Sequence, residues 1–193
     1  AIVINETVDS KMMAAFGTTD DYALPCINLE GYSVATGNDR WEWVSDNGTG
    51  LFQTADAGGT ADDQIFVIKD NSHHITQDFN NGDEVPWSSN EVADEIAQIR
   101  PVSIIEENVD FDGKLGQMKS HAGQADFWNL VTVDEIGGSN NRLVFWGLNH
   151  IGLNGASEPA TESYGTPEFF TILKRSVEWI LGEDGGNTSI ESP

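Results

Sequence analysis

Residues 64–69, QIFVIK, decide the fold class of this 193-residue chain. The four apolar residues in the middle of the stretch are all β-branched or aromatic, which strands favour. A strand without polar alternation suits a sheet that is covered on both faces, as parallel sheets are. The stretch therefore predicts a central strand of an α/β domain with a mostly parallel sheet and helices on both faces.

Other apolar runs predict further strands around this one. Residues 1–5 and 24–29 are short runs of the buried type, and residues 142–148 repeat the uninterrupted pattern. Residues 102–105 predict another strand, whereas residues 127–133 alternate enough to lie at a half-exposed edge. The stretches between them are rich in Gly, Asp and Asn, which predicts long loop insertions.

A helix near the C-terminus has clear start and stop signals. Thr166 is placed to cap it, Pro167 suits its first position, and Gly182 ends it. The expected apolar stripe comprises Phe169, Leu173, Val177 and Ile180, broadened by Phe170, Ile172, Trp179 and Leu181. The polar residues expected to face water are Lys174, Arg175 and Glu178.

The length predicts one domain, over residues 1–182, followed by a flexible acidic tail or linker over residues 183–193. The chain is strand-like from Ala1 onward. We therefore expect a processed or partial chain that lacks an earlier β-α-β portion. Such a sheet needs a cover, for which the candidates are a second copy of the chain or the missing N-terminal segment.

The charge balance excludes several classes of partner. The chain has 9 Lys and Arg against 32 Asp and Glu, a net charge of −23. Nucleic acids and anionic membranes require a basic face, so neither is expected as a partner, and no apolar run is long enough for membrane insertion. An acidic surface suits salty surroundings, and we expect an extracellular or cell-surface protein of a microbe in a saline environment.

Three separated pieces of the chain follow one family pattern. They are residues 3–10 with the next strand at 25–30, residues 68–76 with a His before Ile-Thr, and residues 142–148 with the helix end at 177–182. In this order they resemble the glutamine amidotransferase-like branch of the flavodoxin-like folds, especially ThuA-like proteins. The resemblance implies a parallel sheet with helices on both faces, and it permits a hydrolase or isomerase that acts on sugars.

The catalytic motif of active members of that wider fold is not intact in this sequence. They carry a nucleophilic Cys in a sharp strand-to-helix turn flanked by glycines, together with a His and a Glu. Cys26 lies between Pro25 and Ile27 in a predicted strand, where the thiol should be buried and inert. We therefore assign no catalytic residue.

Polar residues near predicted strand ends are candidates for a ligand crevice, because open α/β sheets bind ligands at the carboxyl ends of their strands. The candidates are Glu6, Glu30, His74, His150, Asn154 and Glu158. Aromatic residues in loops are expected to pin the core or to stack on carbohydrate; they are Tyr32, Trp41, Trp43 and Trp87. His73 and His74 are adjacent and their side chains should diverge, which disfavours a shared metal.

An acidic segment fits the first half of a calcium loop, with Asn108, Asp110 and Asp112 before the turn residue Gly113. Lys119 stands where the loop would need a bidentate Glu, which breaks the standard pattern. A looser site of the three oxygen ligands stays open, and calcium is the one cofactor that the sequence suggests.

These features predict a noncatalytic domain for binding or assembly at the outside of a cell. One alternative is a ThuA-like enzyme that uses carboxylates such as Glu6 and Glu30 as acid and base. The other alternative is a binding module stabilised by calcium.

Overall fold

The computed structural model describes residues 3–5, 25–29, 52–56, 61–88, 102–106, 110–134, 142–148, 153–154, 158–159 and 165–183. The strands are β1 (Val3–Asn5), β2 (Cys26–Asn28), β3 (Phe52–Asp56), β4 (Ile65–Ile68), β5 (Glu84–Pro86), β6 (Val102–Glu106), β7 (Gly113–Met118), β8 (Leu130–Val133), β9 (Leu143–Trp146), β10 (Leu153–Asn154) and β11 (Glu158–Pro159). The α-helix of these ranges is α1 (Pro167–Ile180), and 3₁₀ turns lie at Ala61–Gln64 and Lys119–His121. No helix among them is long and apolar enough to cross a membrane.

Seven of the described strands form one mixed sheet in the order β1-β2-β9-β8-β7-β4-β5. Strands β1, β2 and β9 are parallel, and every other neighbouring pair is antiparallel. Two small antiparallel ribbons, β3-β6 and β10-β11, complete the strands of the described ranges. The prediction of a mostly parallel sheet with helices on both faces is therefore wrong.

The reason for the error is visible in β4. Phe66 and Ile68 point to one face of the sheet and Val67 points to the other, and all three side chains are buried. Burial on both faces produces an uninterrupted apolar run whatever the direction of the neighbouring strands. Here both neighbours, β5 and β7, are antiparallel to β4.

The positions of several strands are confirmed, although their surroundings differ from the prediction. Strands β1, β2, β4, β6 and β9 lie within or across the predicted runs. Strand β6, however, pairs with β3 in a separate ribbon. The expected half-exposed edge is wrong, because all four residues of β8 are buried and the strand lies between β7 and β9.

Strand β7 was not expected, and two glycines explain how it fits. The register against β8 shifts between Lys114 and Gly116, which marks a bulge. A Cβ atom at Gly116 would lie 2.0 Å from the ring of Phe66, so only glycine allows this close approach. Gly113, predicted as the turn residue of a calcium loop, is instead the first residue of the strand.

Helix α1 packs on the sheet through one face. Its start is as predicted, because Phe169 N donates to Thr166 Oγ1 at 3.1 Å and Pro167 occupies the first turn. Gly182, with φ of 76°, follows its end. The buried residues of the helix are Phe169, Ile172, Ser176, Trp179 and Ile180. The predicted stripe is thus only partly buried, since Phe170 and Leu181 are exposed.

Candidate functional site

The loop at residues 69–83, which follows β4, contains the histidine pair. It is closed by internal hydrogen bonds: Ser72 donates to Asp70 Oδ1 from both N and Oγ, at 2.8 and 2.7 Å. Thr76 Oγ1 donates to the carbonyl oxygen of Asp70. The two hydrogen bonds from Ser72 lower the pKa of Asp70 below its ordinary value. The loop therefore holds a defined shape at the end of the strand.

Both ring nitrogens of His74 are engaged. Nε2 lies 3.1 Å from Glu178 Oε2 on α1, and Nδ1 lies 3.2 Å from Gln77 Nε2. Because the amide nitrogen of Gln77 can only donate, Nδ1 accepts and Nε2 carries the proton that it donates to the carboxylate. The side chain is 14% exposed. His74 thus links the loop to α1 through Nε2, while its Nδ1 contacts the exposed side chain of Gln77.

An ion-pair network surrounds this contact. Arg175 donates to both oxygens of Asp78, and its Nη1 lies 3.1 Å from Glu178 Oε2. The hydrogen bonds from Arg175 lower the pKa of Asp78. Partial burial acts to raise the pKa of Glu178, but hydrogen bonds from His74 and Arg175 outweigh it, and this pKa is also lowered. The carboxylates are therefore held in their charged form.

The other histidine of the pair, His73, belongs to an aromatic contact. Its ring lies 5.4 Å from that of Trp179, measured between centroids, and its Nδ1 accepts from Ile75 N at 3.2 Å. The guanidinium of Arg142 lies 4.5 Å from the centroid of Trp179, and it donates to the carbonyl oxygen of the same residue. The two histidines contact neighbouring residues of α1: His73 contacts the ring of Trp179, and His74 contacts the carboxylate of Glu178.

This loop lies at the opposite end of the sheet from the carboxyl ends of β1, β2 and β9. Each of the pairs β4·β7, β7·β8 and β8·β9 is antiparallel, so β4 ends on the side where β9 begins. The contact of Arg142, which immediately precedes β9, with Trp179 agrees with this arrangement. The structure therefore places His74 away from the strand ends that were expected to form a crevice.

At those carboxyl ends, β1, β2 and β9 finish side by side. Two hydrogen bonds join Asn129 and Gly147 there: Gly147 N donates to Asn129 O at 2.9 Å, and Asn129 Nδ2 donates to Gly147 O at 3.0 Å. Asn28 is fully buried at the end of β2. These buried amide groups thus hold the chain in place where it leaves β9.

The remaining crevice candidates are only partly described. Asn154 and Glu158 are brought together as directly paired residues of the β10-β11 ribbon. Glu6, Glu30 and His150 lie outside the described residues, as do Tyr32, Trp41 and Trp43. Trp87 is described and is fully buried, with its Nε1 donating to Asp63 O at 2.9 Å, so it pins the core.

The sequence does not predict a contact between Ser103 and His121 that the structure contains. Ser103 Oγ lies 2.9 Å from His121 Nδ1, and both side chains are buried. The imidazole also packs edge-on against Phe127. The two residues lie 18 positions apart in no motif, so no signal in the sequence would have paired them. Their burial makes this a contact between the β3-β6 ribbon and the main sheet.

Cys26 is placed as predicted. It lies in β2 with its side chain fully buried. A thiol in this position is shielded from reagents and substrates.

The acidic segment does not form a cluster within the described ranges. Asp110 and Asp112 are exposed, and Asp112 Oδ2 accepts a hydrogen bond from Asp134 N. No group of three or more His, Cys, Asp or Glu side chains that could hold a metal ion occurs in the described part of the chain. Asn108 lies outside it.

Comparison with protein-family models, with curated proteins and with solved structures finds no match to this chain. The resemblance to ThuA-like proteins therefore stays a prediction, and function has to be inferred from the residues themselves.

Proposed function

We propose that this chain is a noncatalytic domain for binding or assembly that works outside the cell or at its surface. The observation that carries the proposal is the engagement of both nitrogens of His74, with Glu178 on one side and Gln77 on the other. A general base needs a nitrogen within reach of the substrate proton. In this loop the imidazole is used to attach the loop to the helix.

Two further observations support the same conclusion. The hydroxyl of Ser103 and the imidazole of His121 bond to one another in a buried position, and the thiol of Cys26 is enclosed in the sheet. Each of these groups has nucleophilic or basic chemistry, but each is packed where it stabilises the fold. The net charge of −23 supports a saline setting, because a dense acidic surface keeps a protein soluble and apart from nucleic acids.

The test compares hydrolysis of chromogenic glycosides and esters by the wild-type protein with hydrolysis by H74Q, S103A and C26S. Circular dichroism establishes that each variant folds. We expect only the background rate of buffer in all four proteins. A wild-type rate well above background that one of the variants abolishes would overturn the proposal.

Binding is measured on the same proteins with a glycan array and by sedimentation velocity. We expect saturable binding, either to a glycan or to a second copy of the chain. H74Q should retain it, because His74 faces the helix rather than the solvent. Absence of any binding in the wild type, at both low and high salt, would also count against the proposal.

A further inference from the structure

Helix α1 has a second apolar surface besides the one that covers the sheet. Phe170 is 48% exposed and Leu181 is 54% exposed, and these are the large exposed hydrophobic residues of the described part of the chain. Leu173 and Val177 are only partly buried against the core. The helix therefore presents apolar side chains to solvent along its outer side.

These outward residues form one stripe. At 100° per residue, Phe170 and Leu181 lie within about 20° of each other around the helix axis. Lys174 and Val177 lie between them, so the spacing runs four, three, four, which is the spacing of the contact positions in a coiled coil. We call these four residues, of which Leu181 caps the end of α1, the outer seam of α1. The spacing of the seam is the same from either end, and a large apolar residue stands at each end.

We propose that the outer seam docks against the outer seam of a second copy of this chain, with the two α1 helices antiparallel. The inference rests on the proposed assembly function and names its partner. In a two-fold contact of this kind the same surface meets itself. Phe170 of one copy meets Leu181 of the other, and Lys174 meets Val177.

Charge favours this surface for contact between copies. The sequence of α1 contains two acidic and two basic residues, so the helix is neutral in a chain of net charge −23. Elsewhere, repulsion between two acidic copies opposes their approach. Lys174 is 74% exposed and lies 3.6 Å from Glu178 of its own helix. In the antiparallel arrangement it also approaches Glu178 of the second copy, which gives complementary charges on both sides of the seam.

The expected dimer is concentration-dependent and tightens with salt. A contact between two short helices is small beside the roughly 1,200–2,000 Å² buried in stable complexes. Salt screens the repulsion between the two acidic copies and leaves the apolar contact in place. A contact with a basic partner would instead loosen as salt is added.

The test uses disulfide trapping with the single variants F170C and L181C. In the antiparallel seam these positions face each other across the dimer, so an oxidised mixture of the two variants should give a covalent heterodimer. Either variant alone should give much less. G123C, in a turn with open space around it, is the control and should not cross-link. Equal cross-linking of all three variants would overturn the proposal.

Sedimentation equilibrium gives an independent measurement. We expect the dimer dissociation constant of F170S/L181S to rise by about tenfold or more over the wild type, because these two residues are the large exposed apolar side chains of the seam and serine removes the burial that drives the contact. A wild type that stays monomeric at all protein and salt concentrations would overturn the seam. If the monomeric wild type still binds a glycan, the proposed function stands and only the seam is overturned. If the wild type instead shows catalytic turnover, the proposed function is overturned and the seam is not affected.

Discussion

The carboxylate of Asp78 receives two hydrogen bonds from the guanidinium of Arg175, at 2.9 Å from Nε and 3.1 Å from Nη2. Asp78 belongs to the loop that follows β4, and Arg175 belongs to α1. The pair therefore fastens the loop to the helix at a point where His74 and Glu178 make a second connection. A two-point pair of this kind has a fixed geometry that single-point surface pairs lack.

The D78N substitution should destabilise the protein by about 0.5–1 kcal/mol, at the upper end for exposed ion pairs, because it removes a two-point contact. Urea unfolding measures the change. The matched control is K174Q. Lys174 is largely exposed and makes a single ion pair with Glu178, at the longer distance of 3.6 Å. We expect K174Q to have a much smaller effect. Equal losses in the two variants would show that the geometry of the Asp78 pair adds nothing.

The difference between the wild type and D78N should depend on pH. Arg175 lowers the pKa of Asp78 in the folded protein. A carboxyl whose pKa is lowered on folding contributes fully above its unfolded pKa, near 4, and loses the contribution as pH falls through the folded pKa. The stability gap should therefore be constant around neutral pH and close in acid. Unfolding curves at a series of pH values measure it, and a gap that persists unchanged in acid contradicts the assignment.

The G116A substitution should destabilise the protein by about 1–3 kcal/mol, as overpacking of a core does. The added Cβ would lie 2.0 Å from the ring of Phe66. G123A is the control, because a Cβ there meets nothing within 4 Å, and it should be close to neutral. Thermal unfolding measures both. The second change F66L should recover part of the loss, and a G116A variant as stable as G123A would contradict the close approach.

Added salt should raise the melting temperature. The net charge of −23 creates repulsion within the folded protein, and salt screens it. Calcium chloride at the same ionic strength as sodium chloride is the comparison. A larger increase with calcium that the D110N/D112N variant abolishes would identify the predicted cation site. A melting temperature that falls with salt would contradict the role of repulsion.

The sequence predicts the position of buried strands better than their direction. The apolar runs around Ile27 and Val144 were correctly assigned to strands because burial on both faces leaves a continuous pattern. The pattern does not record which way a neighbour runs, so β4 was wrongly expected to have parallel neighbours. Strand β7 was missed because Gly113, Lys114 and Gly116 interrupt its apolar residues.

The helix was predicted closely because its signals are local. Thr166, Pro167 and Gly182 act within a turn of the helix ends, and all three lie where their chemistry requires. The partners of Arg175 and Glu178 were not predicted. Both were expected to face water, but both contact the loop after β4, at a distance along the chain that no periodicity encodes.

The candidate site shows the same limit. The sequence singled out His74, but only the alternation of strand directions places it at the end of the sheet away from the carboxyl ends of β1, β2 and β9. The pairing of Ser103 with His121 depends on the β3-β6 ribbon, which joins strands far apart in the chain.

The pairing of β2 with β9 also has a consequence for how the molecule reaches its native state. Cys26 to Asn28 pair with Leu143 to Phe145, and the two strands are 117 residues apart in the chain (143 − 26 = 117). Contacts between distant residues form slowly, because closing the long intervening segment costs conformational entropy before the contact contributes any stabilisation. During synthesis β2 has no β9 to pair with until the long segment between them has been made. Folding should therefore be slow, with β4, β7 and β8, which lie between them in the chain, assembling before β2 and β9 meet.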